Sequence, residues 1–296
     1  MEKLDQLLTE ARNPATENLD QLATLDLMKT MHAADRDVLT AVELELPNIA
    51  QAVDAIVARL DNGGRLFYIG AGTSGRLGVL DASECPPTYN TPPELVQGLI
   101  AGGDVALRRS VERAEDDASQ GQKDLVARKF SANDALVGIA ASGRTPYVLG
   151  GIDFARKLGA ATIGLSCVPG SQLAQLAEIA ITPAVGPEVV TGSTRMKAGT
   201  ATKLVLNMLS TGSLVRLGYV YGNLMVNVQP TNVKLRDRAA RIISTLTELP
   251  QDKALALLDE AGSVKTAIVM QRLGLAPAEA EARLVRAKGR LRQALE

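Results

Sequence analysis

Residues 65–76 read Arg-Leu-Phe-Tyr-Ile-Gly-Ala-Gly-Thr-Ser-Gly-Arg, a short apolar run that leads directly into a loop of small and hydroxyl-bearing residues. The same arrangement recurs at residues 135–146, which read Ala-Leu-Val-Gly-Ile-Ala-Ala-Ser-Gly-Arg-Thr-Pro. A buried strand followed by such a loop and a helix offers backbone N–H groups, hydroxyls and the positive end of a helix dipole to a phosphate. Two copies predict that one phosphorylated small molecule is bound at neighbouring strand ends of one sheet.

A repeating order of strand, loop and helix extends from Arg65 to about Gly222. Most of the apolar runs are continuous, as is typical of strands whose two sheet faces are both covered. We therefore predict an α/β fold built on a doubly wound parallel sheet, with its ligand outside the carboxyl ends of the strands. The predicted strands are 65–69, 96–100, 135–140, 161–166 and 178–182, and the predicted helices are 75–84, 104–120, 147–158, 171–177 and 194–216.

Helical patterns flank this region on both sides. An apolar stripe at Leu4, Leu7 and Leu8 and a longer one from Val38 to Leu60 predict N-terminal helices that end at Asp61-Asn62-Gly63-Gly64. Helices near 251–260, 264–273 and 277–295, the first two ending at glycine, predict a small C-terminal helical bundle. The predicted organisation is an N-terminal helical segment (1–54), a phosphate-binding domain (55–222) and a C-terminal helical domain (235–296).

The composition excludes several classes of function. Aromatic residues make up 3% of the 296, and the charge is 32 − 33 = −1, so neither stacking nor electrostatics favours nucleic acid or an anionic membrane. Cys85 and Cys167 form no disulfide framework, and His32 is the single histidine, which disfavours a metal site or a Ser-His-Asp triad. With no apolar signal segment in the sequence, we expect a cytoplasmic protein without a metal or membrane anchor.

The first loop must also be weighed as a nucleotide-binding turn. Gly70, Gly72 and Gly75 fit the GxGxxG spacing of dinucleotide-binding folds. However, residues 90–94, where an acidic ribose ligand is expected, lie in a proline-rich loop, and the Walker pattern is absent. A sugar monophosphate therefore fits better than NAD or ATP.

Four hydroxyl-bearing residues are the candidate phosphate ligands: Thr73, Ser74, Ser142 and Thr145. Each by itself could instead cap the helix that follows, as serine and threonine often do. Their occurrence in two matching loops favours phosphate binding.

Glu84 and Glu115 are the candidate acid–base groups. Pro86 and Pro87 should end the helix that Ser74 opens, which leaves Glu84 near its negative end. The charged form of a carboxyl group is disfavoured at that end of a helix, as suits a general acid. The neighbouring carboxylates of Asp116 and Asp117 disfavour the charged form of Glu115 in the same way. The alternative for each is an ordinary solvated glutamate.

Residues 189–200 form a third hydroxyl-rich transition from strand to helix. Thr191, Ser193 or Thr194 could cap that helix, and Arg195, Lys197 or Lys203 could counter the charge of a phosphate. Ser83, Ser193 and Lys197 are further candidate substrate contacts.

These motifs resemble the sugar isomerase (SIS) domain, and over nearly the whole chain they resemble the bacterial N-acetylmuramic acid 6-phosphate etherases. The resemblance is carried by Thr9–Asn13, Ile69–Gly78, Leu80–Tyr89, Gly98–Gly103, Ala114–Asp116, Gly138–Tyr147, Val189–Thr200 and Gly222–Val226.

The resemblance implies a flavodoxin-like SIS domain at 55–222, a UBA-like C-terminal domain and a cytoplasmic homodimer. It also implies a cofactor-free lyase of amino-sugar catabolism and peptidoglycan recycling, which removes D-lactate from the phosphosugar. Glu84 would be the proton donor and Glu115 the second catalytic residue.

Three alternatives stay open. An aldose–ketose isomerase would share proton abstraction at C2 but release no lactate. A non-catalytic phosphosugar sensor would need neither glutamate and would usually carry a DNA-binding module, for which the N-terminal 64 residues lack a basic recognition helix. A dinucleotide enzyme would bind NAD tightly.

Overall fold

The computed structural model describes residues 9–111 and 113–296. The predicted stripe at Leu4, Leu7 and Leu8 lies outside the described residues. Contacts divide the chain into two compact units: the chain up to Ser83 together with Pro93–Ser210, and Glu84–Pro92 together with Thr211–Glu296. In the part of the chain that is described, no helix is both long and apolar enough to cross a lipid bilayer.

The first unit is built on a five-stranded, fully parallel sheet, as predicted. The strand order is β2-β1-β3-β4-β5, and Gly70 at the end of β1 pairs with Ile139 at the end of β3. Every residue of β1, β3 and β4 is buried, which explains the continuous apolar runs. The strands are β1 (Leu66–Gly70), β2 (Val96–Ile100), β3 (Ala135–Ile139), β4 (Ala161–Leu165) and β5 (Ile179–Ile181).

Twelve α-helices are described in residues 9–111 and 113–296. They are α1 (Thr24–Leu44), α2 (Leu46–Leu60), α3 (Gly72–Tyr89), α4 (Ala118–Ala127), α5 (Pro146–Leu158), α6 (Gln172–Leu176), α7 (Lys197–Arg216), α8 (Val233–Thr247), α9 (Gln251–Ala261), α10 (Val264–Leu273), α11 (Pro277–Arg286) and α12 (Leu291–Leu295). The long N-terminal stripe is divided between α1 and α2, because Pro47 occupies the first turn of α2 and cannot continue α1.

The predicted helix at 104–120 is wrong. The chain instead forms two short 3-10 turns, Gly103–Leu107 and Ala114–Asp116, before α4 begins. Gly102, Gly103 and Arg113 all have positive φ, which an α-helix does not allow. The Asp117 carboxylate then accepts hydrogen bonds from the backbone N–H groups of Ser119 and Gln120 and so starts α4.

The prediction that Pro86 and Pro87 end α3 is also wrong, since the helix continues to Tyr89. A proline removes one N–H donor but keeps a helical φ, and the Pro86 carbonyl still accepts a hydrogen bond from the Asn90 N–H at 2.8 Å. The last residue of the helix is Tyr89, because the next residue, Asn90, has a φ of +54°.

The second unit has a separate apolar core supplied by α8–α12 and the segment before α8. Gly262 and Gly274 end α9 and α10 with positive φ, as predicted. The single helix expected at 277–295 is two helices, because Lys288 and Gly289 adopt positive φ between α11 and α12. The core contains Val226, Ile243, Ala254, Leu258, Ile268, Val269, Ala280, Leu284, Leu291 and Ala294.

Candidate active site

The loop between β1 and α3 is held tight by two glycines. A side chain at Gly70 would approach the Gly75 nitrogen to 2.7 Å, and one at Gly75 would approach the Gly70 oxygen to the same distance. Gly72 has φ +52°, a conformation that favours glycine. The turn leaves Thr73 and Ser74 half-buried at the start of α3.

The loop between β3 and α5 has its own conformational requirement. Gly143 has φ +67°, and a side chain there would overlap Ser171. Ser171 in turn accepts a hydrogen bond from Ala174 at the start of α6. Ser142 and Thr145 are half-buried on either side of this glycine.

These two loops are neighbours because β1 and β3 are adjacent parallel strands. The sheet order reverses between β1 and β3, and such a switch point is where open α/β sheets bind ligands. Thr145 stands at the N-cap of α5 but makes no side-chain capping bond. Within the described residues, no protein group is hydrogen-bonded to the hydroxyls of Thr73, Ser74 or Ser142. The structure therefore does not support the alternative that these four hydroxyl groups cap helices.

Glu115 lies in a cavity of about 500 Å³ beside the first loop. It is exposed on the 3-10 turn Ala114–Asp116, and Gly72 and Arg76 line the same cavity. Arg76 donates a hydrogen bond from Nε to the Leu107 carbonyl, so its guanidinium is held at the cavity wall. This carboxylate therefore shares an aqueous cleft with the residues that flank Thr73 and Ser74.

Ser83 and Glu84 lie on α3 and are exposed. The Ser83 hydroxyl donates a hydrogen bond to the Leu80 carbonyl at 2.7 Å, which leaves its oxygen able to accept another. Glu84 belongs to the second compact unit, whereas Glu115 belongs to the first.

The predicted caps of α7 are wrong: the buried carboxylate of Glu188 performs this role. Its two oxygens accept hydrogen bonds from the backbone N–H groups of Lys197 (2.9 Å) and Ala198 (3.0 Å). Thr191, Ser193 and Thr194 are thereby left outside the helix.

Lys197 is almost fully buried, and its ammonium lies 3.6 Å from Asp37 and 3.4 Å from the Pro187 carbonyl. Gly199 follows it in the first turn of α7 and lies against Thr73: a side chain there would be in van der Waals contact with the Thr73 methyl group. The first turn of α7 therefore lies next to Thr73.

The sequence reasoning missed a buried polar cluster centred on Asp81. This carboxylate accepts hydrogen bonds from Asn207 (2.7 Å), Tyr68 (2.9 Å) and Ser210 (3.2 Å). Burial raises the pKa of Asp81, while these donors oppose the shift. The available signal was its helical spacing from Gly78 and Cys85, both on the buried face of α3.

Cys167 follows β4 and is buried. Burial, with a smaller contribution from the charge of Glu188, raises the pKa of its thiol to about 12. A thiolate, the reactive form, is therefore scarce at neutral pH.

The fold of this chain also occurs in known proteins. Residues 48–156 match the family model described as the glucokinase regulatory protein N-terminal SIS domain, and residues 114–212 match the SIS domain. A phosphoheptose isomerase from Neisseria gonorrhoeae superposes with a TM-score of 0.50 over 64% of this chain and 98% of its own, at 19% identity. A Bacteroides fragilis protein, described as a phosphosugar isomerase involved in capsule formation, gives 0.50 over 67% and 94%, at 20% identity. The protein is of the SIS-domain class.

The sequence relatives define the family within that class. A protein from Pasteurella multocida is 55% identical over 98% of this chain and 96% of its own length. One from Serratia proteamaculans is 56% identical over 99% of both chains. Each is an N-acetylmuramic acid 6-phosphate etherase by name. The chain belongs to the N-acetylmuramic acid 6-phosphate etherase family, and it is an enzyme of this kind.

Proposed function

We propose that this protein cleaves the D-lactyl ether of N-acetylmuramic acid 6-phosphate, giving N-acetylglucosamine 6-phosphate and D-lactate. The observation that carries the proposal is the pair of hydroxyl loops at adjacent strand ends, with a carboxylate in the cleft beside them. The names of the full-length relatives supply the substrate.

The phosphate is bound by the loops after β1 and β3. Thr73, Ser74, Ser142 and Thr145 donate their hydroxyl hydrogens to its oxygens, and the N-termini of α3 and α5 add partial positive charge. Ser193 and Lys197 are proposed as further contacts because they lie at or just before the first turn of α7, which lies next to Thr73, and Ser83 is proposed as an acceptor.

The reaction is an elimination followed by hydration. In the open-chain aldehyde the carbonyl at C1 acidifies the C2 proton, which a carboxylate base removes as the C3–O bond breaks. Glu84 gives a proton to the departing lactate oxygen, and Glu115 is the second acid–base group. Water then adds to C3 of the unsaturated aldehyde, and the proton returns to C2. General acid–base assistance of this kind contributes about 10²–10⁴-fold per group.

We propose a cytoplasmic homodimer that acts in amino-sugar catabolism and peptidoglycan recycling. The phosphate on the substrate supports the location, since a phosphorylated sugar crosses a lipid bilayer poorly and is retained where it is made. The homodimer and the metabolic role are what the resemblance of the sequence to the etherases implies.

The first test is incubation of the protein with N-acetylmuramic acid 6-phosphate, with a chelator and without added cofactor. We expect equal amounts of D-lactate and N-acetylglucosamine 6-phosphate. A ketose product without lactate would support the isomerase, and saturable binding without turnover would support the sensor.

Glu84→Gln and Glu115→Gln should each lower kcat by at least about 10²-fold, because the amide cannot exchange a proton. Affinity for N-acetylglucosamine 6-phosphate, measured by calorimetry, should stay within about threefold. Asp116→Asn is the control, since it removes a neighbouring exposed charge beside Glu115. Full turnover by either glutamate variant removes that residue from the mechanism.

A further inference from the structure

Helices α4 and α5 approach each other closely at two glycines. A side chain at Gly150 on α5 would overlap the carbonyl oxygen of Ala118 and lie 2.7 Å from its carbonyl carbon. Reciprocally, a side chain at Gly121 on α4 would overlap the Tyr147 carbonyl oxygen and lie 3.1 Å from the Gly151 nitrogen. In both cases the obstacle is backbone, so an added methyl group could be accommodated only by separating the helices.

A partly buried hydrogen bond joins the same two helices. The Tyr147 hydroxyl on α5 donates to Asp124 on α4 at 2.7 Å, and the other oxygen of Asp124 accepts from Gln120 at 2.6 Å. Burial, with the hydrogen bond to Asp124, raises the pKa of Tyr147 well above its ordinary value, so the tyrosine stays a donor. Gly121 and Gly150 permit the close approach of α4 and α5, and the hydrogen bond between Tyr147 and Asp124 stabilises it.

The first turn of α4 is connected directly to Glu115. The Asp117 carboxylate caps α4, and the 3-10 turn with Glu115 immediately precedes that cap. Ala114 packs on the apolar core that contains Tyr147 and Val148 of α5. On the α5 side of the contact between α4 and α5, Thr145 immediately precedes the helix.

We infer that Gly121 and Gly150 are positioning residues for Glu115: the close approach they allow sets the distance between this carboxylate and the loop Ser142–Thr145. The inference rests on the proposed function, in which the loop binds the phosphate and Glu115 acts on the sugar.

The test compares Gly150→Ala with Gly151→Ala. Both place one methyl group at neighbouring positions of α5, but at Gly151 it meets the end of the Ile69 side chain, at 2.6 Å, rather than backbone. That side chain can rotate away, so Gly151→Ala should lower the melting temperature without moving α4. Gly150→Ala should lower kcat for D-lactate release by about 10- to 100-fold, the effect of a displacement near 1 Å.

Two readouts separate positioning from general damage. Gly150→Ala should keep its affinity for N-acetylglucosamine 6-phosphate within about threefold of the parent, since the loop still binds phosphate. When Gly150→Ala is added to Glu115→Gln, residual kcat should change less than about twofold, because the first change acts through the second. A purely structural defect would instead multiply the two losses.

The outcomes can be distinguished. The inference is overturned if Gly150→Ala folds and keeps full kcat, or if the losses of kcat multiply in the double variant. The proposed function still stands in that case, provided that Glu115→Gln is inactive. An active Glu115→Gln protein overturns the role of Glu115 and the inference together. If Gly150→Ala does not fold, Tyr147→Phe replaces it, because it removes the fixing bond without adding an atom to the contact. Its kcat should fall with product affinity unchanged, and an unchanged kcat contradicts the inference.

Discussion

At the scale of single residues, the site depends on backbone conformations that only glycine adopts without strain. Gly72 and Gly143 both have positive φ in the loops that present the hydroxyl groups. Gly143 has the stricter requirement, because its neighbour Ser171 occupies the space that a side chain would need, whereas Gly72 faces open space. The position of Ser142 therefore depends on the glycine that follows it.

Gly143→Ala should weaken the binding of N-acetylglucosamine 6-phosphate by at least tenfold, because the added methyl group overlaps Ser171 and displaces the loop. Gly170→Ala is a matched control: its φ of +69° imposes similar strain, but nothing lies within 4 Å of the new methyl group. We expect it to cost about 1 kcal/mol of stability and no affinity. Calorimetric titration of both variants is the measurement, and equal affinities would show that the loop tolerates the displacement.

At the scale of elements, the N-terminus of α7 is capped by a carboxylate nine residues before the helix rather than by the hydroxyl residues that directly precede it. Glu188 satisfies the two N–H groups of Lys197 and Ala198, and all three residues are buried. A buried donor without an acceptor is costly, so this carboxylate stabilises the start of α7, which lies next to Thr73.

Glu188→Ala should lower the free energy of unfolding by about 2–4 kcal/mol, since two buried N–H groups lose their acceptor. Glu188→Gln should cost less, because its amide oxygen still accepts one of the two bonds. Urea unfolding followed by circular dichroism gives both values. Glu43→Ala, at an exposed position on α1, controls for the loss of a carboxylate and should change little. A Glu188→Ala protein as stable as this control would show that water replaces the cap.

At the scale of the whole molecule, the chain forms two units with separate cores, and the second contains a half-buried cation, Lys265. The Lys265 ammonium donates hydrogen bonds to the carbonyls of Gly289 (2.6 Å) and Gly218 (3.0 Å). Burial lowers its pKa from 10.5 to about 8. A neutral amine still has two N–H donors, so both bonds persist after deprotonation.

This lysine should make the stability of the protein rise with pH in the alkaline range. Between pH 8 and 10.5 the unfolded chain binds the proton of Lys265 more tightly than the folded chain does, and stability then increases with pH. The free energy of unfolding of the parent, relative to Lys265→Met, should therefore increase from pH 7.5 to 10. Lys253→Met, at an exposed position on α9, should show no such trend. If the difference in free energy of unfolding between the parent and Lys265→Met does not change with pH, the pKa of Lys265 has its ordinary value.

Much of this architecture followed from the sequence, because its signals are local. A strand buried on both faces is typically a continuous apolar run, so the boundaries of the five strands were predicted to within one residue. The glycines after α9 and α10 ended those helices as predicted, and the two hydroxyl loops were correctly placed at adjacent strands. The blocks of residues that resemble the etherases were sufficient to predict the family.

The features decided only by the tertiary structure depend on residues far apart in the chain. Asp81 binds Asn207 and Ser210, more than 120 positions away, and no local pattern indicates that pairing. The cap of α7 depends on a carboxylate nine residues earlier in the chain. The two 3-10 turns before α4 follow residues with positive φ, Gly102, Gly103 and Arg113, which the pattern of side chains does not predict. The close approach of α4 and α5 depends likewise on two glycines in different helices, because backbone contact across a packed interface is a property of the fold alone.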